Sequence, residues 1–223
     1  MADQWIEYLK AVDTPTLSNG IELLKLRGRH EGFTPLEIRC LFPELGRMVG
    51  YAVTAQVETY TRQEPTDMNK FVDLYDLVAA SPKPAVVVLQ EIGGHGHYAA
   101  HCGEVMATAF TRCGAIGLVS DCGVRDLPEV RALKFHYFAR GAVCSHAYFR
   151  IVRPGVPVQV AGLVVQPGDL LHGDENGLLL VPRGIETSLP AKVEEVRSRE
   201  RKLMDYIRGP EFNLKGLRGK IVE

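Results

Sequence analysis

Residues 103–129, GEVMATAFTRCGAIGLVSDCGVRDLPE, decide how this chain folds. The stretch opens on Gly103-Glu104, carries a helical pattern to about residue 112, and rises into the apolar run Ala115-Ile116-Gly117-Leu118-Val119. It then breaks at Asp121-Cys122-Gly123 and sets Arg125 and Asp126 side by side. Helix, buried strand, glycine turn and then charge is the order in which α/β folds bring polar groups to a cleft beyond the strand ends. The stretch therefore predicts an α/β protein in which the preceding residues build a sheet and the following residues cover it.

Working outward on the N-terminal side, Pro84-Ala-Val-Val-Val-Leu is too short and too β-branched for a helix and reads as a buried strand. Before it, Pro65-Thr66-Asp67 opens a helix carrying Phe71, Leu74, Leu77 and Val78, and the chain from Gly50 to Tyr60, with YAVTAQVETY, alternates as a strand does. Residues 29–46 are irregular. Residues 4–28 have a helical rhythm, with Thr14-Pro15-Thr16 as a start signal and Leu17, Ile21 and Leu24 on one face. On the C-terminal side a short helix follows Asp126, and Phe135 to Phe138 form a strand. Residues 156–182, VPVQVAGLVVQPGDLLHGDENGLLLVP, predict short strands around Gly and Asp turns, an antiparallel layer or small barrel beside the α/β part. Residues 183–208 predict a long amphipathic helix, followed by a tail. With no repeat and no low-complexity linker, residues 1–223 read as a single domain, with 183–223 its C-terminal helix and tail.

Composition narrows the function classes. The chain has 223 residues, 46% hydrophobic and 24% charged, with a net charge of −1. That balance speaks against a general nucleic-acid or anionic-membrane surface. No apolar run reaches the length of a membrane span, and the N-terminus lacks a signal-peptide core. Five cysteines without a CxxC pair fit a reduced, cytoplasmic protein rather than a disulfide framework.

Several groups carry possible chemistry. The guanidinium of Arg125 matches a carboxylate bidentately, and Asp126 suits a hard cation such as Mg²⁺; the bland alternative is a solvated ion pair. Gly103, Glu104, Val105 and Met106 begin a helix whose free backbone N–H groups can receive an anion, although Glu104 there also simply complements the helix dipole. His97 and His101 would sit at i and i+4 if helical, a zinc spacing, but no acid follows His97 as in HExxH. His95 or His97 as a polar wall of a substrate cleft is the other reading of this loop. Cys122 reads as structural. Asp169, Asp174 and Asn176-Gly177 read as turn residues. In the last helix Ile185, Leu189, Val193, Val196, Leu203 and Ile207 share an apolar stripe, and Glu200 falls within it, so its carboxylate is either paired at the rim or aimed into a site.

Glu104, twenty residues, then Arg125-Asp126 resembles the acid-x20-Arg-Asp signature of the metal-dependent 4-hydroxy-4-methyl-2-oxoglutarate / 4-carboxy-4-hydroxy-2-oxoadipate aldolases, in the superfamily of the regulator of ribonuclease activity A. The resemblance runs over roughly residues 10–210 and includes GDLLHGDENGLLLVP. It implies an α-β-β-α sandwich of the swivelling β/β/α kind, homotrimers or homohexamers, and class II pyruvate aldolase chemistry with oxaloacetate decarboxylation. By the same resemblance Arg125 would orient the pyruvyl group, Asp126 would ligate Mg²⁺ or Mn²⁺, and Glu104 would hold metal-bound waters. The amides of residues 103–106 would cradle the carboxylate, and Glu200 of a neighbouring subunit would complete the site. Two departures stand out: the first acid, commonly Asp, is Glu104, and the preceding loop, often acidic, is GGHGHYAAH. The second bears on the identity of the substrate.

Three functions follow as expectations. The first is a metal-dependent lyase cleaving a 4-hydroxy-2-oxo acid to pyruvate. The second is a non-catalytic protein-binding regulator resembling the ribonuclease inhibitor branch, against which the intact Arg125-Asp126 pair speaks. The third is a lyase of the same site acting on a sugar-derived acid.

Overall fold

The computed structural model describes residues 2–62 and 65–222. In chain order the elements are α1 (Ala2–Lys10), α2 (Thr14–Leu23), β1 (Arg39–Cys40), β2 (Met48–Glu58), α3 (Asn69–Ala80), β3 (Ala85–Glu91), α4 (Glu104–Arg112) and β4 (Ala115–Ser120). They continue with β5 (Gly123–Val124), α5 (Leu127–Ala132), β6 (His136–Ala139), β7 (Gly141–Ala142), β8 (Arg150–Pro154), β9 (Val158–Val160) and β10 (Leu163–Val165). The last are β11 (Leu170–Asp174), β12 (Gly177–Val181), α6 (Leu189–Arg208) and α7 (Leu214–Val222). These form two compact units, one of residues 2–14 with His30–Arg183, the other of Pro15–Arg29 with residues 184–222.

The first unit is built on a sheet of order β1-β6-β4-β3-β2-β11-β12, with β8 pairing the far end of β2. Strands β2, β3, β4 and β6 run parallel, and β1, β8, β11 and β12 join antiparallel. The sheet curls until its ends approach, where Phe33 bridges to Leu179. Both faces are covered, which is why the central strands read as continuous apolar runs instead of alternating ones. Val87 and Leu89 face helices α3, α4 and α5 through Leu74, Val78, Ala107, Phe110 and Val130. Their neighbours Val86 and Val88 face the other way, onto Phe138, Leu171 and the β9–β10 hairpin. Period-2 alternation thus divides one apolar run between two cores.

The α/β class, with its long C-terminal helix, is what the sequence predicts, and so are the main strands and helices. Three local expectations change. The helical stretch at residues 4–28 breaks into α1 and α2 before Thr14, whose first-turn N–H, without a helical acceptor, donates to Asp174 Oδ2 at 2.8 Å while its hydroxyl meets His172 Nδ1 at 3.0 Å. Residues 156–182 do not form a layer of their own throughout. Only β9 and β10 stand apart, whereas β11 and β12 extend the main sheet beyond β2, so the residues after 129 build the sheet as well as cover it. The tail contains a further helix, α7. The expected turns hold: Asp174 pairs with Gly177 in a tight hairpin and accepts from Asn176 N–H at 2.8 Å, and Asp169 accepts from Gln166 N–H and ion-pairs with Arg183.

In the second unit α2 lies close on α6. A Cβ at Gly20 would come within 3.1 Å of Leu189 and Val193, so the small residue is what permits the approach. Ile185, Leu189, Val193 and Val196 are buried, but farther along the same stripe Leu203 is half-buried and Ile207 is exposed.

Candidate active site

The C-terminal ends of β3 and β4 lie side by side, and the chain beyond them forms the site. Residues 99–103 run beside residues 123–125 in a short parallel ladder. Gly123 N–H donates to Ala99 O, His101 N–H to Gly123 O, and Arg125 N–H to Cys102 O, at 3.1, 2.9 and 2.9 Å. This ladder explains the twenty-residue spacing. Helix α4 and strand β4 use up the intervening chain, and the ladder returns Arg125-Asp126 to face Gly103-Glu104.

Asp126 adopts the left-handed conformation, φ 56° and ψ 45°, just before α5. Such a backbone is costly for a residue with a side chain, and Asp tolerates it better than most. It lets the carboxylate reach across to α4, where Oδ2 accepts from Glu104 N–H at 2.9 Å and stands 3.7 Å from Arg125 Nε. Among the described residues Oδ1 makes no hydrogen bond. Both side chains are about a third exposed, at 39% for Arg125 and 36% for Asp126.

Gly103 precedes α4 in extended backbone, so conformational freedom is not what selects glycine there. Space is: a Cβ would overlap Asp126 Oδ2 and lie 3.0 Å from Arg125 Nε. The amides of Val105 and Met106, in the first turn of α4, have no intrahelical acceptor. Glu104 is exposed, and Val105 is 82% exposed, with the apolar Ile92 and Tyr98 exposed on the adjoining loop. Gly103, Glu104, Val105, Met106, Arg125 and Asp126 therefore form one constellation. Glu200 belongs to the second unit, where it is exposed on α6 with Asn19 Nδ2 at 3.4 Å. The sequence places it on the apolar stripe, either paired at the rim or aimed into a site; in the chain it is exposed and its carboxylate accepts from Asn19.

The histidine loop folds differently from a zinc helix. Residues 92–103 contain no helix, His97 is exposed and His101 is buried, so the i, i+4 pairing does not exist. His95 stacks on Tyr60 with ring centroids 3.7 Å apart. His101 instead enters a buried polar network missed from sequence. Its Nε2 lies 3.1 Å from Glu91 Oε2, and its Nδ1 lies 2.8 Å from Ser120 Oγ. Glu91 also accepts from Thr59 Oγ1 and Gly93 N–H, and Cys122 Sγ stands 3.8 Å from Oε2. Burial alone would raise the Glu91 carboxyl, but the hydrogen bond and charge of His101, with Thr59 and Gly93, bring it below its ordinary value. Burial pushes the thiol of Cys122 up, and Glu91 and Asp121 push it further, so it is no nucleophile. The one signal available in the sequence was Gln90-Glu91, polar residues closing an apolar strand at its C-terminal end.

The chain matches a profile of the Aldolase/RraA family, described as RraA-like, over residues 12–180. An uncharacterised Methanocaldococcus jannaschii protein is 28% identical over 123 residues, 54% of this chain and 59% of that protein. A Halalkalibacterium halodurans protein, named provisionally as a 4-hydroxy-4-methyl-2-oxoglutarate aldolase, is 31% identical over 99 residues, 42% of this chain and 47% of that one. The chain thus spans about half the length of these curated relatives. Among solved structures, Streptomyces coelicolor RraAS2, described as an unusual member of the RNase ES inhibitor RraA protein family, superposes with a TM-score of 0.66 at 22% identity. The superposition covers 89% of this chain and 93% of that one, a likeness of fold.

Proposed function

Since the chain belongs to the Aldolase/RraA family, we propose that it is a divalent-metal-dependent lyase that forms pyruvate from a 4-hydroxy-2-oxo acid and decarboxylates oxaloacetate. The observation that carries this reading is the Asp126 carboxylate, held across from the start of α4 beside Arg125 with one oxygen unengaged. A single carboxylate in a half-exposed site suits Mg²⁺ or Mn²⁺, hard cations that keep several waters, and Asp126 would hold it. When bound, such an ion is a Lewis acid that stabilises the enolate left when a C–C bond next to a 2-oxo group breaks. Arg125 binds and orients the pyruvyl end through its fork of donors, and the free amides of Val105 and Met106 take the substrate carboxylate. Glu104, at the mouth, holds water and exchanges protons with it.

Glu200 enters as a residue contributed by a neighbouring subunit. Its exposed position on a helix that leaves Met204 and Ile207 exposed, and the exposed Val105, Ile92 and Tyr98, support a homotrimer or homohexamer in which α6 meets a second copy. The loop with His95 and His97 would then select among substrates, sugar-derived acids included.

Pyruvate release from a panel of 2-oxo acids, followed by coupled lactate dehydrogenase with and without Mg²⁺, tests the proposal. Turnover of at least one 4-hydroxy-2-oxo acid or oxaloacetate only with metal is the expected result. Pyruvate formation indifferent to chelator would remove the metal from the reaction, and none from any acid would leave a non-catalytic, protein-binding regulator as the reading.

A further inference from the structure

The network at the strand ends has a composition that hydrogen bonding alone does not require: a carboxylate, an imidazole and a thiol converging from three segments. We infer that Glu91, His101 and Cys122 form a second metal site, of the Zn²⁺ or Co²⁺ type, distinct from Asp126. Glu91 ends β3, His101 lies on the loop, and Cys122 follows β4. One donor atom from each lies within 4.8 Å of the other two, and Glu91 Oε2 is 3.1 Å from His101 Nε2 and 3.8 Å from Cys122 Sγ. Zinc bonds to N, O and S in a tetrahedron require ligand-to-ligand edges of about 3.3–3.7 Å, so two of the three edges are near their bound length. A thiolate and an imidazole prefer zinc or cobalt over Mg²⁺, which takes oxygen ligands.

The surroundings fit the same assignment. Metal-binding histidines rest their second nitrogen on a fixed partner, and His101 Nδ1 meets Ser120 Oγ at 2.8 Å. Thr59 Oγ1 and Gly93 N–H orient the carboxylate at 3.0 and 2.8 Å. Gly96 closes over the thiol so tightly that a Cβ there would lie 2.8 Å from Sγ. A second carboxylate, Asp121, is fixed alongside, accepting from Glu91 N–H at 2.8 Å. A divalent cation held there would take the place of the proton between His101 Nε2 and Glu91 Oε2 and of the Cys122 thiol proton, both released to solvent. Bound there, it would clip the loop to both strands, two residues before Gly103 and three before Arg125.

Cobalt titration of the 223-residue chain tests this. Wild type should develop thiolate-to-Co²⁺ charge-transfer absorption that saturates at one equivalent and is displaced by Zn²⁺ but not by Mg²⁺. Cys122→Ser should abolish the band. Asp126→Asn and Cys144→Ser, the latter removing an exposed thiol, should keep it. If Cys122→Ser fails to fold, isosteric Glu91→Gln gives the same reading, with Co²⁺ affinity lower by about tenfold or more. No band in wild type, a band that survives Cys122→Ser, undiminished Co²⁺ affinity in Glu91→Gln, or a band lost with Asp126→Asn would overturn the inference. None of these readouts depends on lyase activity.

Discussion

Asp126 combines an uncommon backbone conformation with a side chain that joins both halves of the site, and that makes it separable by mutation. Asparagine tolerates left-handed backbone as aspartate does, so Asp126→Asn should fold within about 0.5 kcal/mol of wild type while losing nearly all activity. Arg125→Lys keeps the charge but loses the planar fork. Steady-state kinetics with oxaloacetate should show a loss of roughly 2–4 kcal/mol in transition-state stabilisation, and unchanged kcat/KM would return Arg125 to a surface ion pair. A different residue sets an acid limit on stability. His136, buried on β6 with Nδ1 unpartnered, is pushed by burial from 6.5 to about 4. Between those values the unfolded chain takes up a proton that the folded chain refuses. Stability is therefore full above the upper value and falls as pH drops towards the lower, by at most about 3 kcal/mol. Urea midpoints across that window should fall less steeply for His136→Leu. His172, also lowered, with burial the largest cause, will keep part of the slope in both proteins.

At the scale of elements, the ladder between residues 99–103 and 123–125 converts chain spacing into a site. Gly103→Ala should disrupt it locally, because the added methyl competes with Asp126 Oδ2 for space: activity should drop sharply in the pyruvate assay while far-UV circular dichroism stays unchanged. The loop before it should govern selectivity. With His95 stacked on Tyr60, His95→Ala should change the ranking of 2-oxo acids more than it slows all of them, and a uniform loss would assign His95 to the common chemistry. These elements differ in how openly the sequence announces them. Strands β3 and β4 and helix α4 are legible because burial on two faces, β-branching and a glycine boundary are local properties. The place of β11 and β12 is not, since alternation shows that a strand has two faces but not which neighbour it pairs with. The meeting of Arg125-Asp126 with Gly103-Glu104 is legible only through the family resemblance. Of the Glu91–His101–Cys122 cluster only Gln90-Glu91, closing an apolar strand, is legible, because its members come from a strand end, a loop and a turn whose convergence no spacing encodes.

For the whole molecule, Glu200 decides whether one chain suffices. If α6 hands it to a second copy, mixing inactive Arg125→Ala with inactive Glu200→Ala subunits should restore part of the activity, since one hybrid interface carries both intact residues. Mixed oligomers that form and stay inactive would confine the site to a single chain. The more basic claim, that this protein is a metal-dependent lyase working through Asp126, is tested most directly by one titration. Pyruvate release from oxaloacetate is measured after chelation as Mg²⁺ is returned to wild type and to Asp126→Asn in parallel. Saturable recovery in wild type, with none in Asp126→Asn, is the predicted result. Equal recovery in the two proteins, or full activity of wild type in chelator, would contradict it.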